Sequence, residues 1–183
     1  MTIVLYYRLI LLLFLIIFSS FIFLLTPLFS LIPFVPVRKK ILHNIISSLE
    51  LKEQDTLYDL GCGDGRVLFM ALKTNPNISC VGIEIAPFPF LIAKIKQLFY
   101  FSKNIHIIYG NFFNINISPA SCVFLYLFPK ALDNLLPKLE KELKSGSKVV
   151  SCDFYFSKRK PDKIIKIMAK KWQKNKNLYI YNF

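Results

Sequence analysis

The order of apolar and polar positions divides the chain into two parts. No charged side chain occurs from residue 9 to residue 37, whereas short apolar blocks alternate with polar ones from residue 38 onwards. A helix of about 20 apolar residues crosses a bilayer core of about 30 Å. The pattern therefore predicts a transmembrane helix over residues 6–28 inside an N-terminal anchor (1–37), followed by one globular domain (38–183).

Two other interpretations of the apolar block are weaker. A cleaved signal peptide would need a pair of small residues after the apolar run, and Phe, Leu and Pro occupy those places. A core helix of the globular domain is the second interpretation, but the block is apolar all round and has no polar face to meet water. An uncleaved, single-pass anchor is therefore the prediction.

Charges and prolines beside the anchor predict its orientation and its end. Three basic residues (38–40) follow the apolar block, and only Arg8 precedes it. The positive-inside rule then puts the C-terminal domain on the cytosolic face of the membrane. Pro27, Pro33 and Pro36 predict that the exit segment 26–36 is not helical, because proline removes a backbone donor and disfavours a helical residue before it.

In the second part of the chain, helical and strand patterns alternate. Helices are predicted over residues 37–51, 65–75, 87–101 and 130–146, with Pro137 interrupting or kinking the last one. Strands are predicted over residues 56–60, 80–85, 105–110, 121–128 and 147–156. This alternation predicts an α/β fold with a mostly parallel sheet covered by helices on both faces.

The end of the chain fits this pattern less well. Residues 163–172 are predicted to form a helix and residues 177–182 a last edge strand. On this interpretation the sheet is short by one strand or is completed by a partner.

The stretch YDLGCGDGRV (58–67) concentrates three of the six glycines of the chain in one loop. Gly61, Gly63 and Gly65 follow the first predicted strand, where a ligand can approach the backbone closely. A dinucleotide fingerprint would need glycine in place of Arg66, and no P-loop G-K-[ST] follows. The carboxylates of Asp59 and Asp64 would repel a pyrophosphate, so they favour a cationic ligand.

At these residues the sequence resembles the class I methyltransferases, whose first motif is [D/E]-x-G-x-G-x-G. The resemblance implies a Rossmann-like fold and S-adenosylmethionine as the cofactor. It also implies that an acid at the end of the second strand binds the ribose hydroxyls, which is Glu84 here, and that Asn111 stands where the family usually has an adenine-side acid. The implied cofactor-binding residues are Asp59, Gly61, Cys62, Gly63, Asp64, Gly65, Glu84, Ile85, Asn111 and Phe112.

Residues 34–156 resemble a narrower group, the single-span lysine methyltransferases that act on the ATP synthase c-subunit and the adenine nucleotide translocase, with their prokaryotic relatives. The discriminating part is the segment LYLFPKALDNLLPKLEKELKSG. Its start replaces the [DN]-P-P-[YF] motif of many amide and base methyltransferases, which disfavours those substrates. The resemblance implies a lysine substrate, and the predicted anchor restricts the enzyme to targets near the bilayer, such as a lysine in a short cytosolic loop of a membrane protein.

Two residues of this segment are the catalytic candidates, Tyr126 and Pro129. Tyr126 would form an aromatic wall of the lysine pocket, although it could equally fill space beneath the next helix. Two alternatives stay open for the whole chain: a lipid or quinone methyltransferase of the same fold, and a cofactor-binding module without catalysis.

Charge and cysteine usage add two further expectations. Residues 38–156 carry 14 basic and 10 acidic side chains, a net +4, whereas residues 157–183 carry nine basic and one acidic, a net +8. This basic tail predicts contact with anionic lipid headgroups, and nucleic acid is the disfavoured alternative.

The four scattered cysteines have no metal-ligand spacing, so no metal site is expected and buried free thiols are predicted.

Overall fold

The computed structural model describes residues 2–29, 36–100, 103–167 and 176–183. The chain divides into two compact units, Met1–Pro33 and Phe34–Phe183. The first unit contains helix α1 (Thr2–Phe29), whose stretch Val4–Phe23 has a mean hydropathy of 2.2 and is long and apolar enough to cross a membrane.

The predicted helix over residues 6–28 is therefore present, but the prediction of a non-helical exit is wrong for residues 26–29. Helix α1 continues through Pro27 to Phe29. Proline removes only one backbone donor, and near the end of a helix few further hydrogen bonds depend on it. Pro33 lies outside the described residues.

The second unit begins with a short 3₁₀ turn, Lys39–Ile41, and then alternates between helices and strands. Its helices are α2 (Leu42–Leu49), α3 (Arg66–Thr74), α4 (Pro87–Tyr100) and α5 (Pro129–Glu142). Its strands are β1 (Thr56–Leu60), β2 (Ser79–Glu84), β3 (Ile105–Tyr109), β4 (Cys122–Leu125), β5 (Lys148–Cys152), β6 (Lys163–Ile167) and β7 (Lys176–Asn182).

The strands form one sheet in the order β3-β2-β1-β4-β5-β7-β6. The first five are parallel, as predicted, whereas β7 pairs antiparallel with both β5 and β6. Strand order reverses between β1 and β4, so the carboxyl ends of these two strands flank the crevice in which sheets of this kind bind ligands. The glycine loop and Tyr126 leave the sheet at this point.

The predicted strand over residues 177–182 is present as β7, but its edge position is wrong, and so is the predicted helix over residues 163–167; residues 168–172 of that helix lie outside the described residues. Residues 163–167 form the edge strand β6 instead of a helix, because the pattern of isoleucines between lysines suits an exposed strand as well as a helix. Strand β7 is not at the edge. It pairs with β5 on one side and with β6 on the other, and the seven described strands of the sheet all come from this chain.

Helices cover both faces of the sheet. Helices α2, α3 and α4 contribute to a buried cluster with one face of the strands, including Leu57, Phe124 and Val150. Because strand side chains alternate between faces, the buried Val123 and Val149 belong to the other face. Helix α5 buries four leucines and continues through Pro137, so the predicted interruption does not occur.

The four cysteines are free and buried, as predicted. Three lie in strands β2, β4 and β5. Burial raises the pKa of Cys80 to about 12, of Cys122 to about 11 and of Cys152 to about 12. These thiols stay protonated at neutral pH, so they pack as small apolar side chains.

Candidate active site

The glycine loop leaves β1 and turns directly into α3. Its three glycines have positive φ angles: 85° at Gly61, 56° at Gly63 and 75° at Gly65. The backbone N–H groups of Gly61 and Cys62 both donate to the Ile83 carbonyl, at 2.8 and 3.0 Å. These bonds fasten the loop to the end of β2, so the two strand tips hold it in one shape.

Glu84, the last residue of β2, is oriented by the backbone around it. Its Oε2 accepts a hydrogen bond from Gly63 N at 2.7 Å, and its Oε1 accepts one from Ala86 N at 2.8 Å. The residue is 7% exposed. Each carboxylate oxygen can accept a further bond, so the fixed carboxylate can still receive hydroxyl donors from a ligand.

Asp59 brings a second carboxylate to the same place and is 3% exposed. Burial, together with the charges of Glu84 and Asp64, raises the pKa of Asp59 well above its usual range. Burial and the nearby Asp59 and Glu84 charges likewise raise the pKa of Cys62. The loop is therefore a region of negative potential that a positively charged ligand would relieve.

Asp64 is engaged differently from the other two acids. Its Oδ1 accepts from Arg66 Nε at 2.7 Å, and its Oδ2 pairs with Lys96 Nζ at 2.7 Å. Burial alone would raise its pKa, but the hydrogen bonds from Arg66 and Lys96 lower it to about 2. The side chain of Asp64 thus fixes the loop to α3 and α4, and its role in cofactor binding stays a prediction.

The tip of β3 adds the next predicted contacts. The N–H of Gly110 donates to the Glu84 carbonyl at 3.0 Å, which places Asn111 beside the end of β2. Asn111 Oδ1 accepts from Phe113 N at 3.0 Å and so caps a short 3₁₀ turn. Phe112 is buried and Ile85 is half-buried. The structure therefore brings the residues predicted to bind the cofactor together along three adjacent strand tips.

Tyr126 and Pro129 lie across the crevice from the glycine loop. A Cβ placed on Gly61 would lie 3.2 Å from Leu127 Cδ2, so the turn after β4 contacts the loop. Pro129 is the first residue of α5, where its missing N–H costs nothing. Tyr126 donates its hydroxyl to Asp153 Oδ2 at 3.3 Å.

Sequence reasoning missed Asp153 and Lys176, which both contact Tyr126. Asp153 directly follows β5, and its position at the carboxyl end of a parallel strand was a usable signal. The sequence gave no such signal for Lys176, because its position near Tyr126 follows from the antiparallel pairing of β7 with β5.

Comparison with known proteins identifies the family to which the chain belongs. A model described as the ANTKMT methyltransferase domain matches residues 59–163, more than half of the chain. A protein-lysine N-methyltransferase of Saccharolobus islandicus is 35% identical over 156 residues, which cover 82% of this chain and 92% of that protein. The chain belongs to the ANTKMT methyltransferase family.

Other relatives of this ANTKMT-family chain include the ATP synthase c-subunit lysine N-methyltransferase of Homo sapiens. It is 27% identical over 137 residues, which cover 73% of this chain and 56% of the human protein. The chain thus spans only about half the length of that relative.

Among solved structures, an RNA methyltransferase from Salinibacter ruber in complex with S-adenosyl-L-homocysteine has a TM-score of 0.72 and 32% identity, covering 81% of this chain and 93% of that one. The Rossmann-like methyltransferase fold and S-adenosylmethionine as the cofactor are thereby confirmed. The site suits a cationic cofactor, because Asp59 and Glu84 are two buried carboxyl groups beside the glycine loop. The protein is an S-adenosylmethionine-dependent methyltransferase.

Proposed function

We propose that this enzyme is a membrane-anchored methyltransferase that modifies a lysine side chain of a membrane protein, with its catalytic domain on the cytosolic face. One observation carries the lysine preference: the relative that aligns with 82% of the chain, at 35% identity, is a protein-lysine N-methyltransferase. The human relative, which modifies the ATP synthase c-subunit, supports a membrane-protein target.

The predicted site residues receive roles in this proposal. Glu84 accepts the ribose hydroxyls of the cofactor, and the loop 61–65 lies against its methionine part. Asn111 and Phe112 flank the adenine, with Ile85 beside the ribose. Because the backbone already fixes Glu84, little conformational entropy is lost when the cofactor binds.

The bound cofactor supplies an electrophilic methyl group, and the chain must present the lysine amine in line with it. Such positioning is worth roughly 7 to 11 kcal/mol as an entropy effect. The amine must also lose a proton, and its unperturbed pKa is about 10.4. A partly dry pocket next to positive charge lowers that pKa, so Tyr126 and the Pro129 turn need only exclude water and orient the amine.

Two features support placement at a membrane. Helix α1 can span a bilayer by its length and composition. In addition, α4 exposes Leu91, Ile95, Leu98 and Phe99, the last two to 68% and 74%, along one side of the helix. Apolar patches of this kind commonly contact a membrane or a partner. We propose that this side of α4 contacts a membrane surface.

RNA is a second candidate substrate, because the Salinibacter ruber structure is described as an RNA methyltransferase. The basic tail (157–183) supports RNA binding less strongly in the structure than its net charge alone does. Part of the basic tail is used inside the fold, since Arg159 pairs with Glu140 at 3.7 Å and Lys176 pairs with Asp153.

One labelling experiment separates these substrates. Membranes that contain the full-length enzyme are incubated with methyl-labelled S-adenosylmethionine, and the label is measured in protein, RNA and organic-extractable lipid. We expect label in protein as methyllysine, and its loss with Glu84→Ala. Label confined to RNA or to lipid and quinone would overturn the proposal, and cofactor binding without any label would indicate a module without catalysis.

A further inference from the structure

A second ionic cluster lies at the same edge of the sheet as the glycine loop. It consists of Tyr126, Asp153 and Lys176, which we call the ammonium cluster. Tyr126 follows β4, Asp153 follows β5, and Lys176 begins β7. Because β7 runs antiparallel to β5, its first residue meets the carboxyl ends of the parallel strands.

The other two members surround the Lys176 ammonium group. Lys176 Nζ donates to the Tyr126 hydroxyl at 3.0 Å and forms an ion pair with Asp153 Oδ2. The same nitrogen lies 5.2 Å from the centroid of the Tyr126 ring. A carboxylate, a hydroxyl acceptor and an aromatic ring together provide what a primary ammonium needs in a binding site.

The backbone at Asp153 is unusual. Its φ is 66°, in the left-handed region that residues other than glycine seldom adopt. The Asp153 N–H donates to the Asn177 carbonyl at 2.8 Å, which ties this conformation to the start of β7. Left-handed residues of this kind concentrate at functional sites. The Lys176 and Asp153 side chains keep 19% and 17% of their surface exposed, so a ligand can reach them.

The ammonium cluster lies next to the cofactor loop. Leu60 and Leu125 are register partners in β1 and β4, so the following residues, Gly61 and Tyr126, leave the sheet side by side. Neighbouring strands are about 4.8 Å apart, which puts Asp153, one strand further, roughly 10 Å from the loop. Tyr126 is therefore the member of the ammonium cluster next to the cofactor loop.

We propose that Tyr126 and Asp153 bind the ammonium group of the target lysine before it loses its proton to water and moves to the methyl donor as a neutral amine, and that Lys176 occupies this site in the substrate-free enzyme. The inference rests on the proposed lysine specificity and adds the residues that recognise the lysine. While Lys176 fills the site, an external ammonium cannot bind. The apparent association constant is therefore the intrinsic one multiplied by the fraction of time for which the site is empty. Removing Lys176 should therefore strengthen ammonium binding.

Calorimetric titration of n-butylammonium into the full-length enzyme in detergent tests this competition. If Lys176 fills the site about nine tenths of the time, Lys176→Met should bind n-butylammonium about tenfold more tightly than the wild type. Adding Asp153→Asn to that variant should abolish the binding, since asparagine tolerates a positive φ but carries no charge. Lys148→Met is the matched control, because Lys148 pairs with Glu50 at the opposite end of β5.

Equal n-butylammonium binding by the wild type, Lys176→Met and Lys148→Met would overturn the inference, even if Lys176→Met lowered the melting temperature. Unchanged affinity for S-adenosylmethionine verifies that each variant is folded. The titration uses no protein substrate, so its outcome is independent of the labelling experiment. Methyllysine formation with unaltered ammonium binding would reject this inference alone. Tighter binding without methyllysine would reject the proposed function and would leave the cluster as an ammonium site without a target lysine.

Discussion

Each half of the sheet has a carboxylate at the carboxyl end of one of its strands, and the two carboxylates are held by different kinds of hydrogen bond. On the β1-β2 side, backbone N–H groups of Gly63 and Ala86 fix the two oxygens of Glu84. On the β4-β5 side, the side chains of Tyr126 and Lys176 contact Asp153. A backbone contact cannot be exchanged without moving the loop, whereas a side-chain contact can be replaced by a ligand group. The first half therefore suits a constant cofactor and the second an incoming substrate.

The largest effect should come from Glu84→Gln. An amide cannot accept hydrogen bonds from Gly63 N and Ala86 N at both ends, so one backbone donor would face an NH₂ group. Losing a charge-assisted acceptor is worth about 2 to 3 kcal/mol, so we expect the dissociation constant of S-adenosylmethionine to rise roughly 30- to 150-fold.

Calorimetric titration of the cofactor measures this effect. Glu142→Gln is the control, because Glu142 also accepts from a backbone N–H, that of Ile117 at 2.9 Å, but lies at the end of α5. If both variants bound the cofactor as tightly as the wild type, Glu84 would not be a cofactor ligand.

The next prediction concerns how closely β2 packs beneath the loop. A Cβ on Gly82 would lie 2.6 Å from Leu68 Cδ1 and 2.7 Å from Cys62 Sγ. Overpacking of this kind typically costs about 1 to 3 kcal/mol, so Gly82→Ala should lower the free energy of unfolding by about 2 kcal/mol. Gly146→Ala separates crowding from backbone strain, because Gly146 has a φ of 88° but no atom within 4 Å of the added Cβ. Denaturant unfolding that ranked Gly146→Ala as the more damaging change would contradict this prediction.

Whether an element could be predicted from the sequence depended on whether a local pattern or a distant pairing determines it. The parallel strands and the loop were predictable, because each is a continuous local pattern with glycines at its end. Strand β6 and the interior position of β7 were not, since KIIKI (163–167) fits two periodicities and the position of β7 depends on pairing with β5. The acids near the loop were identifiable from the sequence, but their contrasting environments were not. Asp64 differs from Asp59 in its ion pairs with Arg66 and Lys96 and in its greater exposure.

That contrast between the two acids predicts opposite changes in stability. The pKa of Asp64 is lowered to about 2, so its contribution to stability is present above the unfolded-state pKa of about 4 and is lost as pH falls towards 2. The pKa of Asp59 is raised, so its contribution is present below about pH 4 and is lost as pH rises through its folded-state pKa. At neutral pH Asp64 therefore stabilises the fold, and Asp59 destabilises it.

In the absence of cofactor at pH 7.5, Asp64→Asn should lower the melting temperature by about 2 to 4 °C, which corresponds to about 1 kcal/mol for a chain of this size. Asp59→Asn should raise the melting temperature and weaken cofactor binding. Thermal unfolding followed by near-UV circular dichroism checks both changes. Shifts of the same sign in the two variants would show that Asp59 does not destabilise the fold at neutral pH.

The smallest effect should come from Tyr126→Phe, which keeps the ring of the ammonium cluster and removes its hydroxyl. Burial, together with the nearby Cys152, raises the pKa of Tyr126, so the hydroxyl is a donor at neutral pH. One neutral hydrogen bond is worth about 1 kcal/mol, so we expect KM for the protein substrate to rise about fivefold without a change in cofactor affinity. Tyr181→Phe is the control: its hydroxyl accepts from Phe156 N at 3.1 Å, and its loss should reduce stability and leave KM unchanged. An unchanged KM for Tyr126→Phe would assign the hydroxyl to packing, and only the ring would then remain as a contact for the lysine.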